Sequence, residues 1–366
     1  MIVKSLELRN FRNYEFLSMD FSKNTNILYG DNAQGKTNLL EAIYTCATTK
    51  SHRGSKDREM IQMGQEEAHI RMFLQRKDMD HRLDMHMKKN KPKGVAIDGV
   101  PIHKSSELFG FIHIVSFSPE DLNIIKSGPC ERRRFMDMEL CQMDKVYLHH
   151  LMNYNKIVNQ RNILLKQVGY KRELLDTLQV WDTQLISYGQ KIIQSRRQYL
   201  KELNEITACL HSRLSCEREH LVISYEPNVE EENFSNALST GIDRDLKMKM
   251  TTVGPHRDDI RFTIDGADIR KFGSQGQQRT SALSLKLSEL ALVRQKIQEN
   301  PVLLLDDVLS ELDRNRQTQL LEAIHGIQTI ITCTGLEEFI RNRVVSDKIY
   351  QVADGKVKEA DYLIKK

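Results

Sequence analysis

Near the start of the chain, apolar and polar positions alternate. Leu6 and Leu8 alternate with Glu7 and Arg9, and Leu17, Met19 and Phe21 with polar neighbours, with Asn10-Phe11-Arg12-Asn13 between them as a turn. A period of two is that of a half-buried strand, so residues 2–29 read as β structure. Within them Asn26-Ile27-Leu28-Tyr29 is a short buried strand. Leu39, Leu40, Ile43 and Ala47 then recur at helical spacing. Strands are predicted over 68–75, 82–88, 95–97 and 111–117. From about Ser127 the character changes. Residues 131–168 and 172–217 are long, charged and poor in glycine, with Leu174, Leu175, Leu178, Trp181, Leu185, Tyr188 and Ile192 on one helical stripe. They predict two helical arms that pack on each other, broken near Gly169 and too irregular in heptads for a long coiled-coil rod. Strand 221–225, helical residues 230–249 and strand 260–264, closed by Gly266, follow. A helix carrying Leu283, Leu287, Leu290 and Arg294 comes next, then a buried strand before Asp306, and 329–334 as the last core strand. The pattern predicts an α/β head of residues 1–125 and 250–366, interrupted by a helical insertion of residues 126–249.

The strand at 26–29 and the helix from Leu39 enclose Gly30-Asp31-Asn32-Ala33-Gln34-Gly35-Lys36-Thr37. This fits G-x-x-x-x-G-K-[ST], the phosphate-binding P-loop, in the strand–loop–helix setting the motif requires. The glycines let backbone N–H groups approach phosphate oxygens, and the helix N-terminus favours their charge. Lys36 is expected to reach the β- and γ-phosphates of ATP and Thr37 to help hold Mg2+.

Two later segments extend this chemistry. Pro301-Val302-Leu303-Leu304-Leu305-Asp306-Asp307 is an apolar run ending in paired acids, a Walker B strand whose carboxylates emerge at a buried sheet's C-terminal edge. Asp306 is expected to bind Mg2+ through water and Asp307 to orient or deprotonate the attacking water. Ser310-Glu311-Leu312-Asp313 follows at the spacing of a D-loop. Upstream, Ser274-Gln275-Gly276-Gln277-Gln278-Arg279 resembles the signature motif of ABC-type ATPases, in which a serine hydroxyl and helix-end amides cap the γ-phosphate held by a second subunit. The plain alternative is an ordinary capped helix.

Composition adds limits. A 40% hydrophobic chain of 366 residues buries a normal core, and a net charge of +4 is too small to argue for nucleic acid by itself. Any basic footprint must be local. Six scattered cysteines (Cys46, Cys130, Cys141, Cys209, Cys216 and Cys333) read as reduced thiols, the start is no signal peptide, and no apolar run spans a bilayer. A cytoplasmic protein is expected. Residues 48–58 form a basic loop, and Lys88-Lys89-Asn90-Lys91-Pro92-Lys93-Gly94 is a turn that either grips DNA phosphate or is simply a solvated tip. Arg132-Arg133-Arg134 either contacts phosphate or an acidic partner, or forms salt bridges with Glu131, Asp137 or Glu139. The twelve histidines are dispersed, so a histidine metal site is not expected.

Taken together, the chain resembles the RecF family of the SMC/ABC ATPase superfamily, essentially end to end. The resemblance rests on Leu8-Arg9-Asn10-Phe11-Arg12-Asn13-Tyr14, the P-loop with Thr37–Ile43, and Lys50-Ser51-His52-Arg53. It continues through Phe117–Leu122, Arg132–Asp137, Gly254-Pro255-His256-Arg257-Asp258-Asp259, Gly276–Thr280, Leu305–Val308 and Ser310–Asp313. It implies an ABC/SMC-type P-loop ATPase head with a helical insertion domain. It further implies ATP and Mg2+ as cofactors and an ATP-driven homodimer that clamps DNA at double-strand/single-strand junctions, with weak, DNA-stimulated hydrolysis. Lys36 and Asp306 of one copy would face Ser274, Gly276 and Gln277 of the other. The implied setting is recombinational gap repair, replication restart and the SOS response, loading RecA onto gapped DNA with RecO and RecR, with no membrane role. Lys50, Arg53, Lys56, Lys88, Lys89, Lys91 and Arg132–Arg134 are candidate DNA contacts. The chain departs from ABC transporters in carrying Asp307 instead of glutamate, no switch histidine near Thr334, and Ser118–Asp121 in place of a Q-loop glutamine. Ala33 stands where many of these P-loops carry glycine. The first three departures suggest slow hydrolysis. The alternatives are an ATP-switched scaffold without hydrolysis, or an ABC-type transport subunit.

Overall fold

A computed structural model of the protein describes residues 1–168, 175–336 and 346–360. The chain forms two compact units, Met1–Asp121 with Glu289–Lys366 and Leu122–Ser288.

The first unit opens with β1 (Ile2–Phe11), β2 (Tyr14–Asp20), β3 (Thr25–Tyr29), α1 (Lys36–Thr48) and α2 (Asp57–Met60). It continues with β4 (Glu67–Arg76), β5 (Met79–Lys88), β6 (Gly94–Ile97), β7 (Val100–Pro101) and β8 (Ile114–Phe117). β2-β1-β4-β5-β6-β7 form an antiparallel sheet. The period-two pattern does what it predicts: Leu6, Leu8, Ile70, Met72, Leu83 and Met85 are buried on one face, and charged residues line the other. The strand expected over 111–117 is confined to its last four residues, because Phe111 N donates to Leu108 O in a turn.

The second unit contains α3 (Leu122–Lys126), α4 (Pro129–Met143), α5 (Lys145–Val168), α6 (Leu175–Leu214) and β9 (Leu221–Glu226). It goes on through α7 (Phe234–Thr240), α8 (Ile242–Met248), β10 (Asp259–Ile264), β11 (Ala267–Asp268) and α9 (Ile269–Phe272) to α10 (Gln275–Ile297), which crosses the boundary. As expected, α5 and α6 pack on each other; the expected break near Gly169 lies outside the described residues. A break not expected falls at Asp144. Its backbone is extended, its N–H ends α4 on Leu140 O, and its side chain accepts from Val146 N at 2.7 Å to start α5. Aspartate competes well for such N-terminal N–H groups, so one long helix becomes two.

The polar loop Gly254–Asp259 is the centre of this unit. Asp258 accepts from Arg196 at 2.8 Å, from Tyr225 and from Asn228 N, while Arg196 also reaches Asp137 and Pro255 O. Asp259 takes a bidentate pair from Arg132 at 2.6 and 2.9 Å, and Arg133 donates to Asp258 O. Arg132 is therefore a buried internal cation, with a partner other than the acids considered from the sequence; Arg134 does approach Glu131, at 3.9 Å. His256 donates from Nε2 to Thr251 O at 3.0 Å and accepts the Tyr154 hydroxyl at Nδ1 at 2.7 Å.

The chain then returns to the first unit with β12 (Val302–Asp306), α11 (Arg314–Ala323), β13 (Thr329–Cys333), β14 (Lys348–Ala353) and β15 (Lys356–Glu359). β14-β3-β13-β12-β8 pair in parallel, with β15 antiparallel at the edge. β13 is thus not the last core strand: Ile349, Tyr350 and Val352 of β14 are buried beside β3. The missed signal is a hydrophobic run followed by Asp354-Gly355, both at positive φ, a hairpin turn. Both sheets and the apolar face of α1 (Leu39, Leu40, Ala42, Ile43, Cys46 and Ala47) share one core.

Burial pushes His256 down to about 4, the Thr251 carbonyl opposing and Arg257, Arg133 and Arg196 adding to the effect. The unfolded imidazole takes a proton near 6.5. Between these values the unfolded state binds more protons, so stability falls as pH falls. From pH 7 to pH 5 this group should remove about 2 kcal/mol. Urea unfolding at both values should show that loss, and His256→Gln should flatten it; an unchanged pH slope in the variant would refute the assignment.

Candidate nucleotide site

All five parallel strands point their C-terminal ends to one edge, where ligands of α/β sheets collect. The register aligns Leu28 with Thr332 and Thr332 with Asp306, so the loops after β3, β12 and β13 start level. Phe117 lies beside Leu305, which puts Ser118–Asp121 at the same edge, its Ser118 N–H tied to the Asp121 carboxylate at 2.8 Å.

Gly30 to Thr37 form the loop between β3 and α1. Gly30 has φ 154°, and a Cβ on it would lie 2.2 Å from Val352 O; Gly35 has φ 108°, and its Cβ would lie 2.4 Å from the Asn13 amide. Only glycine fits either place. Ala33 is also left-handed, at φ 64°, a conformation that glycine would adopt with less strain. Two turns clamp the loop from outside. From the β1–β2 turn, Asn13 donates to Gln34 O at 3.0 Å and accepts from Asn38 at 2.8 Å, and Tyr14 donates to Gly35 O at 3.1 Å. From the β14–β15 turn, Asp354 N–H donates to the Gln34 side chain at 2.6 Å. Lys36 is 7% exposed, and its ammonium is held by Gly30 O and Asp31 O at 2.6 and 2.7 Å, folded over the loop whose N–H groups would meet phosphate.

Behind α1, the buried Glu41 carboxylate takes two hydrogen bonds from Arg12 at 2.7 Å and one from Ser51. Burial pushes its pKa up, but the Arg12 and Ser51 bonds outweigh this and hold it below the usual carboxylate range. His52, set edge-on to Tyr44, is pushed down by burial against the opposing fields of Glu41, Asp306 and Glu120.

At the Walker B end, Asp306 is 8% exposed, and its Oδ1 accepts from Thr37 at 2.9 Å and from Thr332 at 2.7 Å. The Thr332 oxygen in turn accepts from Asp307 N–H at 3.0 Å. Asp307 has φ 51°, a bend where the chain leaves the strand, and its carboxylate accepts from the Ser310 hydroxyl at 3.2 Å. Ser310 then donates to Asp307 O at 2.8 Å. Thr37 and Asp306 thus place a hydroxyl and a carboxylate together beside the P-loop, hard oxygen donors of the kind Mg2+ takes.

The structure brings together Gly30, Asp31, Asn32, Ala33, Gln34, Gly35, Lys36, Thr37, Asp306 and Asp307 in the first unit. Ser274, Gly276 and Gln277 belong to the second unit, at the start of α10. There Ser274 accepts from Gln277 N–H at 3.1 Å while the Gln277 side chain accepts from Ser274 N–H at 2.9 Å, a reciprocal capping box. Both Ser274 and Gly276 are exposed, and a Cβ on Gly276 would meet nothing closer than Ser274 Oγ at 3.8 Å. Among the candidate DNA contacts, Lys50, Arg53, Lys56 and Lys91 are exposed, whereas Lys88 and Lys89 pair with Glu67 and Glu66.

The family description RecF/RecN/SMC N terminal domain matches residues 2–358. A DNA replication and repair protein RecF from Lachnoclostridium phytofermentans is 65% identical over 98% of this chain and 100% of its own length. The chain belongs to the RecF family. A second RecF relative, from Agathobacter rectalis, is 60% identical over 99% of the chain and 100% of its own length. The solved structure of the recombination mediator protein RecF with ATP, in the RecFOR pathway, is 37% identical, with a TM-score of 0.92 over 98% of this chain and 97% of that one. The fold is also that of SMC heads: the SmcHead bound to the C-winged helix domain of ScpA gives a TM-score of 0.58 at 16% identity. The fold is an ABC/SMC-type head.

Thr332→Val keeps the shape but takes one donor from the buried Asp306 carboxylate and leaves the Asp307 N–H only its longer bond to the Thr332 carbonyl, at 3.3 Å. It should cost about 1–3 kcal/mol in denaturant unfolding, with Thr332→Ser near wild type. Equal stability of the valine variant would contradict the relay.

Proposed function

We propose that this RecF-family chain is an ATP-binding DNA replication and repair protein that acts as an ATP-driven homodimeric clamp on DNA. The observation that carries the reading is the contact between Thr37 of the P-loop and Asp306 of the Walker B strand, 269 residues apart. The ATP-bound state of a RecF relative with the same fold supports it. Lys36 binds the β- and γ-phosphates, and the N–H groups of residues 30–37 wrap them. Thr37 and Asp306 hold Mg2+, which offsets phosphate charge. Asp307 orients water, and its short side chain suits slow hydrolysis.

The exposed capping box at Ser274 to Gln277 faces the γ-phosphate of a second copy. In this reading the unit carrying the P-loop is the nucleotide head, and the arms belong to the other lobe. DNA is held by its phosphate backbone, with Lys50, Arg53, Lys56 and Lys91 as the free cations best suited to it. The setting is cytoplasmic gap repair at double-strand/single-strand junctions with RecR, RecO and, indirectly, RecA.

Light scattering with and without ATP and gapped duplex tests the clamp. Wild type should become dimeric with ATP, Lys36→Arg should stay monomeric, and Ser274→Arg should bind ATP yet fail to dimerise. Dimerisation of Ser274→Arg at the wild-type level would reject the composite site. Asp307→Asn should dimerise but dissociate from DNA more slowly. DNA affinity should fall steeply with salt, about a thousandfold between 50 and 200 mM if six or more phosphates are neutralised, and a flat salt response would reject backbone binding.

A further inference from the structure

The outward face of the antiparallel sheet carries a cluster that plays no part in the nucleotide site. β4 and β5 pair so that His69 lies directly opposite His86, and Glu67 opposite Lys88. Residues two apart share a strand face, so Glu67, His69 and Arg71 stand beside Asp84, His86 and Lys88. The two imidazoles stack with centroids 4.1 Å apart and planes 8° apart. Glu67 reaches both: Oε2 is 3.2 Å from His86 Nε2, and Oε1 is 3.8 Å from His69 Nε2.

We propose that Glu67, His69 and His86 bind a divalent transition-metal ion of the zinc class. The three donors lie near enough together to converge on one ion. One donor atom from each residue lies within 4.8 Å of the other two. Ligands at about 2.0–2.1 Å from a tetrahedral zinc ion lie about 3.3–3.4 Å from each other, so the Glu67 contacts to both rings already bracket that spacing. The stacked imidazoles need only splay so that both ring planes meet at the ion. All three side chains are a little over 40% exposed, which leaves them free to turn.

The donor set, two imidazoles and one carboxylate, is that of zinc sites with an open position. His69 and His86 also line a cavity of about 520 Å3, with Arg9, Phe16 and Pro101, so water or an outside donor has access to the ion.

The surrounding charges leave a small positive excess that the ligands must outweigh. Glu7 and Arg9 of β1, Arg71 of β4, and Arg82, Asp84 and Lys88 of β5 face the same side, four bases against two acids, with Glu67 as the third acid. Asp84 is already engaged by Arg71 and Arg82 at 2.6 and 2.8 Å, so it does not compete as a ligand. Lys88, 3.4 Å from Glu67, must release its carboxylate when the ion enters. Both histidines must be neutral to bind, so uptake of the ion displaces any protons they carry.

Titration calorimetry of zinc into the full-length, tag-free protein tests the site. The background should carry Cys130→Ser, Cys209→Ser and Cys216→Ser, since those thiols are exposed and thiolates are zinc ligands. One ion per chain is expected. His69→Gln and His86→Gln should each weaken binding by about tenfold or more, since loss even of a group that only orients a ligand costs that much. Cobalt should give a visible absorption band that disappears in the same two variants. No saturable binding, or equal affinity in wild type and the double variant, would overturn the proposal.

Discussion

The parallel pairing of β3, β13, β12 and β8 is the constraint on which the rest of the first unit depends. Parallel strands cannot be joined by tight turns, so each crossover must leave the sheet and return, and every strand ends at the same edge. Residues far apart in the chain therefore open their loops side by side. The register is close enough that Thr37 and Asp306, 269 positions apart, share a hydrogen bond of 2.9 Å. The sheet can be parallel only because its faces are covered, and the apolar side of α1 and the inner face of the antiparallel sheet share that core.

Within this frame the nucleotide site is built from buried polar groups that satisfy one another. A carboxylate as enclosed as Asp306 needs donors, because an unpaired buried charge is costly. It has two, Thr37 and Thr332, and the second also holds the backbone of Asp307. The P-loop is similarly held: Asn13 and Tyr14 on one side and Asp354 on the other fix its carbonyls and side chains, so its shape does not depend on the loop alone. Gly30 and Gly35 are required as much by these neighbours as by any phosphate, since a Cβ at either would strike Val352 O or Asn13.

Some of the charge in this protein is paired inside it. The Arg132 and Arg196 pairs with Asp259 and Asp258 bind α4 and α6 to the Gly254–Asp259 loop, and removing one partner of such a buried pair typically costs about 3–5 kcal/mol. In the Arg132–Arg134 run, the first two side chains are thus turned to internal partners. Conversely, His69 and His86, dispersed along the chain, become neighbours through strand pairing alone.

By itself the sequence determined the period-two strands, the helical arms, the P-loop with its flanking strand and helix, and the Walker B run, because each of these is a local pattern of burial or of backbone need. It also carried the family, whose motifs span the chain from Leu8 to Asp313. Only the tertiary structure decided that β14 completes the parallel sheet, that Asp144 divides a helix, that Arg132 is buried against Asp259, and that Thr332 joins Asp306 to Asp307. The physical reason is the same in each case. Hydrogen-bond partners, ion pairs and the outward or inward turn of a side chain are set by elements that meet in space, and a one-dimensional pattern of polarity does not record which ones will meet.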